Sequence, residues 1–139
     1  MEDFVSFETA KKLKEKGFSC EMPFAMYNEI ARLHLLTTAV PFCVCDSGFK
    51  YREYYVYEDF DENDYIAPTI SQVLKWLREN KKIHVEIDIM KAYPEAKLTY
   101  WGYNIVLIDK YEVYHFEWNS NSFEQAALAG IEYVLDNLI

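Results

Sequence analysis

The clearest landmarks in this chain are changes of hydrophobic period. In IHVEIDIM (83–90), Ile83, Val85, Ile87 and Ile89 alternate with His84, Glu86 and Asp88. That period of two marks a strand with one wet face. Just upstream, in TISQVLKWLREN (69–80), Ile70, Val73, Leu74 and Leu77 form a stripe of period three to four, with Lys75, Arg78 and Glu79 outside it. Thr69 and Gln72 have capping-box spacing, and Pro68 discourages helix before them, so the spacing predicts a helix here.

Two further helices are punctuated in the same way. Ser6 caps a segment in which Phe7, Ala10 and Leu13 share a face; Gly17 can end it in the left-handed conformation, bringing Phe18 back to Leu13. Ser122 and Gln125 repeat the capping-box spacing before Ala127, Ile131, Val134 and Leu138. SFETA (6–10) and SFEQA (122–126) match at four of five positions, but the residues that follow do not. Shared capping chemistry, rather than an internal repeat, explains the match.

YWGYNIVLID (100–109) and EVYHFEW (112–118) predict two more strands joined by a short turn near Asp109 and Lys110. As a helix, FAMYNEIARLHLL (24–36) would scatter its apolar residues around the axis. As a strand it puts Ala31, Leu33 and Leu35 opposite Arg32 and His34, with a hairpin turn at Asn28-Glu29. FKYREYYVY (49–57) is aromatic-rich and fits another strand. The resulting order, α-β-β-β-α-β-β-β-α, predicts an α+β fold: an antiparallel sheet with helices packed against it. At 139 residues and with no low-complexity linker, residues 1–139 read as a single domain.

Charge narrows the functional classes. The net charge of −9 disfavours direct nucleic-acid binding, which rests on Lys and Arg displacing counterions. Lys11, Lys12, Lys14 and Lys16, the nearest thing to a basic cluster, read as the solvated face of the first helix. No run approaches 18 apolar residues, so no membrane helix is expected. The opening Met1-Glu2-Asp3 lacks the pattern of an export signal. Cys20, Cys43 and Cys45, an odd number without a disulfide-scaffold pattern, suit a reducing, cytoplasmic setting.

Candidate chemistry is thin. In YEDFDENDY (57–65), Asp59, Asp61 and Asn63 fit the opening of an EF-hand calcium loop, but Asp64 replaces the required glycine and Ile70 the bidentate glutamate. A solvated acidic loop near a helix N-terminus is the simpler account. Cys43 and Cys45, with Cys20 and His34, would make four zinc ligands, but the spacing lacks the paired motifs of zinc sites, and buried thiols explain them better. His84 and His115 are each expected on strands, with Glu86 and Asp88 beside His84, and a His–carboxylate pair would offer an acid–base couple; the polar face of a sheet accounts for both histidines. YWGY (100–103) and EYYVY (53–57) are the best leads, because Tyr and Trp anchor protein interfaces. The sequence therefore assigns no catalytic, cofactor-binding or metal-binding residue.

Two resemblances add to this. Helix, three strands and helix over 69–138 resemble the topology of a double-stranded-RNA-binding domain. That family grips phosphates with lysines at the start of its last helix, whereas 122–139 holds Glu124, Glu132 and Asp136 and no Lys or Arg. This likeness implies shape, not RNA binding. The blocks VSFETAKKLKEKGF, APTISQVLKWLRE followed by KIHVEI, and FEQAALAGIEYVLDNLI resemble recurring blocks of small proteins of no established activity from Bacteroides-type bacteria and their phages or prophages. The resemblance implies a phage-type α/β sandwich and a mobile-element origin, and it implies no catalytic residues. The expected function is that of a non-enzymatic accessory protein acting by protein–protein binding, without cofactors. An acidic DNA mimic is one alternative and a small enzyme using His84 or His115 another. An uncovered sheet face or edge would favour a homodimer.

Overall fold

A computed structural model of the protein describes residues 3–20, 23–36, 54–55, 62–91 and 99–139. The chain divides into two compact units, Met1–Val5 with Thr69–Ile139, and Ser6–Pro68. The fold is α+β, with helices packed on antiparallel sheet.

In the Ser6–Pro68 unit, helix α1 (Phe7–Glu15) precedes four short strands: β1 (Ala25–Tyr27), β2 (Leu33–Leu36), β3 (Tyr54–Tyr55) and β4 (Tyr65–Ile66). The sheet order is β3-β2-β1-β4. Both ends of α1 follow the sequence signals. The Ser6 hydroxyl accepts the Thr9 N–H (3.2 Å), while Gly17, at φ +82°, lets Phe18 N–H reach Leu13 O (2.9 Å) and Gly17 N–H reach Lys14 O (3.1 Å). That pair of bonds is the Schellman ending. Phe7 packs edge-on against both Tyr27 and Tyr65, with Ala10 and Leu13 buried beside it on the same helix.

Residues 24–36 are the hairpin that the pattern suggested. The Asn28 side chain accepts from Ile30 N–H (3.1 Å) and Arg32 N–H (2.9 Å), and Ala31 turns the chain at φ +64°. Two expectations are corrected. Among the described residues four strands, rather than three, precede the second helix, because the end of the acidic stretch pairs as β4 with β1. The β2–β3 pair is parallel, not antiparallel; residues 37–53 exceed the dozen or so that a parallel connection needs.

The second unit runs α2 (Ile70–Trp76), β5 (Ile83–Lys91), β6 (Thr99–Leu107), β7 (Glu112–Ser120) and α3 (Phe123–Asn137), with an antiparallel sheet ordered β5-β6-β7. Thr69 Oγ1 accepts Gln72 N–H (3.2 Å) and Gln72 Oε1 accepts Thr69 N–H (3.0 Å), completing the capping box. Ile70, Val73, Trp76 and Leu77 are buried. The helix then widens into a π turn, Leu77–Lys81, and stops at Lys82, whose φ is +57°. At α3 the box is only half formed: Ser122 Oγ caps Gln125 N–H (3.1 Å), but the Gln125 side chain bonds Asn121 N–H instead (3.0 Å). Ala126, Ala127, Ile131, Val134 and Leu135 pack with Ile83, Val85, Tyr103 and Ile105 as the core of this unit.

Thr69 is buried, so its hydroxyl has no solvent substitute as the acceptor for Gln72 N–H. Thr69→Ala is expected to cost about 1 kcal/mol, read as a lower urea midpoint, and Thr69→Ser to recover most of it. Equal midpoints for wild type and Thr69→Ala would show that the box contributes nothing.

Candidate functional site

The two faces of the β5-β6-β7 sheet differ in chemistry. Registers Val85↔Ile105, Ile87↔Tyr103, Ile105↔His115 and Tyr103↔Glu117 place all these side chains on the face that α3 covers. The alternate positions form the outer face: His84, Glu86 and Asp88 from β5, Tyr100, Gly102, Asn104 and Val106 from β6, and Val113, Tyr114, Phe116 and Trp118 from β7.

On the helix side, the buried Tyr103 hydroxyl donates to Glu117 Oε2 (3.0 Å). His115 stacks flat on Tyr133 of α3, with ring centroids 3.8 Å apart, and its Nε2 lies 3.8 Å from Glu117 Oε1. That Nε2 is buried and has no hydrogen-bond partner among the described residues. Burial first, then the hydrogen bond and negative charge of Glu117, holds the Tyr103 phenol well above its ordinary value. A phenol kept protonated and committed to a carboxylate, beside an imidazole whose ring face is covered, is the packing beneath α3. A general acid or base has to reach a substrate atom through a ring nitrogen, and the Nε2 of His115 is buried.

The outer face is exposed and aromatic. Phe116 is 62% exposed, Val113 56% and Tyr114 51%, and Tyr100, further along β6 on the same face, is 37% exposed. Trp118 lies over Gly102, where an ideal Cβ would fall 2.6 Å from two Trp118 ring carbons and 2.5 Å from the Glu117 carbonyl oxygen. Asn104 Nδ2 donates to the Glu86 carboxylate (3.3 Å). None of the outer-face positions named above is Lys or Arg. At the β6–β7 turn, Tyr111 is 92% exposed and held at φ +50°.

Several expectations change. The strands of His84 and His115 are not neighbours, because β6 separates them, and the two histidines lie on opposite faces. His115 is also not on the wet face, because its register with Ile105 turns it under α3. Its carboxylate neighbour, Glu117, went unsingled in the sequence, although His115-x-Glu117 has the same two-residue spacing as Glu86-x-Asp88. YWGY is divided: Tyr100 is exposed, Trp101 packs edge-on to Phe123, Gly102 lies under Trp118 and Tyr103 is core. Of EYYVY, Tyr54 and Tyr55 form β3 and the rest lies outside the described residues.

In the Ser6–Pro68 unit, the Lys14 ammonium donates to the carbonyl oxygens of Glu62 and Asp64 and lies 4.7 Å from the Tyr65 ring centroid. Lys14 is thus an anchor for the acidic stretch, not only a solvated charge. A cavity of about 260 Å³ opens beside it, lined by Ala10, Phe18, Met26 and Ile66 among others. For the calcium reading, Asp59 and Asp61 lie outside the described residues, while Ile70, at the twelfth position, is buried in α2. For the zinc reading, Cys43 and Cys45 lie outside the described residues, and His34 Nε2 bonds the Asn28 side chain (3.1 Å). Among the described residues no three His, Cys, Asp or Glu side chains are grouped to hold a metal, and no helix is long and apolar enough to cross a membrane.

Two predictions follow from the packing of this sheet. Gly102→Ala forces β7 away from β6, because backbone as well as Trp118 stands in the way; a loss of about 1–3 kcal/mol is expected in urea unfolding, and an unchanged midpoint would show that the close approach is not kept. The second concerns alkali. The unfolded Tyr103 phenol ionises near pH 10, whereas the folded one resists ionisation. Its stabilising contribution is complete below that pH and is lost as pH rises beyond it. Wild-type stability should therefore fall above about pH 10, and Tyr103→Phe should flatten that fall, leaving the smaller slope of Tyr27, which burial also raises. Parallel slopes for the two proteins would refute this.

Compared with protein-family models, curated proteins and solved structures, the chain has no match.

Proposed function

We propose that this chain is a non-enzymatic accessory protein of a bacterium or its phage, working in the cytoplasm by gripping another protein with the outer face of the β5-β6-β7 sheet. The observation that carries the reading is Tyr111. A bulky residue in the left-handed region is strained, and Gly or Asn would sit there more comfortably. Tyr111 is almost wholly exposed, so its ring repays none of that strain through packing. Strain retained without a folding benefit points to a role outside the fold. Val113, Tyr114 and Phe116 continue the same exposed surface, and Tyr is among the residues that dominate interface energetics. Glu86 and Asp88 flank it, and none of the outer-face positions named above is Lys or Arg, so the surface suits a partner that presents apolar groups beside Lys or Arg. A DNA mimic would need carboxylates dispersed over one face. Here two carboxylates share the face with exposed aromatic rings, which favours a protein partner over that alternative.

The test is a comparison of two baits in lysate of a Bacteroides-type bacterium: wild type and Tyr111→Asn. Wild type is expected to retain a protein that the variant retains at least about tenfold less, the loss expected of a hot-spot residue. The variant should melt no lower than wild type, because Asn tolerates the left-handed conformation. An empty wild-type eluate, or equal retention by both, would overturn the proposal.

A further inference from the structure

Among the described residues β7 is an edge strand, and its edge is chemically different from that of β5. Ile83 and Val85, near the start of β5, are 5% and 3% exposed as whole residues, so the backbone there is covered as well as the side chains. Along β7, by contrast, Tyr114, Phe116 and Glu117 are all exposed.

The ladder fixes which β7 groups face outward. Ile108 N–H bonds Lys82 O (3.0 Å), which makes Ile83↔Leu107 a non-hydrogen-bonded pair. Even-numbered β6 residues therefore turn their N–H and C=O toward β5, and odd-numbered ones toward β7. Tyr103↔Glu117 and Ile105↔His115 are then the hydrogen-bonded pairs. Tyr114, Phe116 and Trp118 are left with their backbone groups at the free edge and their side chains on the outer face. Register shifts bracket this run at both ends, between Ile105 and Val106 and between Trp101 and Tyr103. Bulges of this kind end pairing, which confines any added strand to Tyr114–Trp118.

That run is complementary to itself. An antiparallel copy centred on Phe116 sets Phe116 against the partner's Phe116, Tyr114 against the partner's Trp118, and His115 against the partner's Glu117. Aromatic pairs across strands stabilise sheets, an imidazole rather than a second carboxylate meets each Glu117, and no like charges meet. The same register brings a second carboxylate, the partner's Glu117, to the side of the sheet where His115 Nε2 lacks a hydrogen-bond partner. We propose that two copies of the chain pair antiparallel through β7, with Phe116 on the two-fold axis, joining their three-stranded sheets into one of six strands. This inference uses the edge of the sheet and does not rest on the partner proposed above.

Sedimentation velocity on the full chain and two charge variants tests it. Wild type should be dimeric. Phe116→Lys and Phe116→Glu should each be monomeric, because each places like charges opposite one another, and their equimolar mixture should restore a dimer. Phe116 is largely exposed, so both variants should keep the wild-type far-UV circular dichroism. Phe116→Cys gives an independent reading: across a hydrogen-bonded antiparallel pair the Cα atoms lie about 5.5 Å apart, within disulfide reach. Mild oxidation should link that variant, and not wild type, into a dimer. A wild type that stays monomeric up to millimolar concentration overturns the proposal and leaves the edge to a foreign strand. So does a dimer that both charge variants retain, which would place the contact elsewhere. Tyr111→Asn should leave the dimer unchanged, so this proposal and the one about a partner can fail separately.

Discussion

Helix α3 lies on the sheet with no room for a methyl group at Gly130. An ideal Cβ there would fall 2.5 Å from Val85 Cγ1 and 3.1 Å from the Tyr103 ring. This close approach constrains most of what surrounds it. It keeps Tyr103 buried beneath the helix, with its hydroxyl bonded to Glu117. It brings Tyr133, one turn further along α3, into stacking contact with His115. The polar groups on the helix side are therefore tied into packing, while the exposed aromatic rings of the sheet stand on the outer face.

The elements were legible wherever their signals are local. Ser6, Thr69 and Ser122 cap the helices they precede, Gly17 ends α1, and the alternation in β5 is real. Each of these depends on residues within a turn or two of one another. What the pattern misjudged was orientation in β7. The alternating pattern reads His115, like His84, as part of the polar face of the sheet. The structure reverses this, because pairing with β6 fixes the register, and the hydrogen bond from Tyr103 to Glu117 makes a polar residue welcome under the helix. Nor could local pattern reveal that β2 and β3 run parallel, or that β4 pairs with β1, since both pairings join segments distant in sequence. The candidate site was harder to read for the same reason. Its aromatic residues are ordinary strand formers one at a time, and only the register shows that they share an uncovered face.

Two features of β7 conflict with stability alone. An exposed row of aromatic residues on an edge strand invites association, and natural sheets usually blunt such edges with charge, proline or bulges. Here the bulges are present but stand at the two ends, so they limit the length of the open run without closing it. Tyr111 adds backbone strain at the turn that feeds the same strand. A chain selected only to fold would place Gly or Asn at 111 and charge at 116. Tyr111 stands in the turn that leads into β7 and Phe116 on β7 itself, so the binding proposed above would account for both departures together.

The basic residues near the N-terminus lead to the same view of the partner. Lys14 binds two backbone carbonyls of the acidic stretch and covers Tyr65. Lys11 lies 3.7 Å from Glu8 and over the Phe7 ring. Lys14 fixes the segment in place by holding the Glu62 and Asp64 carbonyls. Two members of the best lysine cluster are thus engaged within their own unit, and neither is spare for a phosphate backbone. With a net charge of −9 and no Lys or Arg on the exposed sheet face, the electrostatic attraction this molecule can offer is toward cationic groups. The basic, partly apolar protein surface proposed above as the partner meets that requirement.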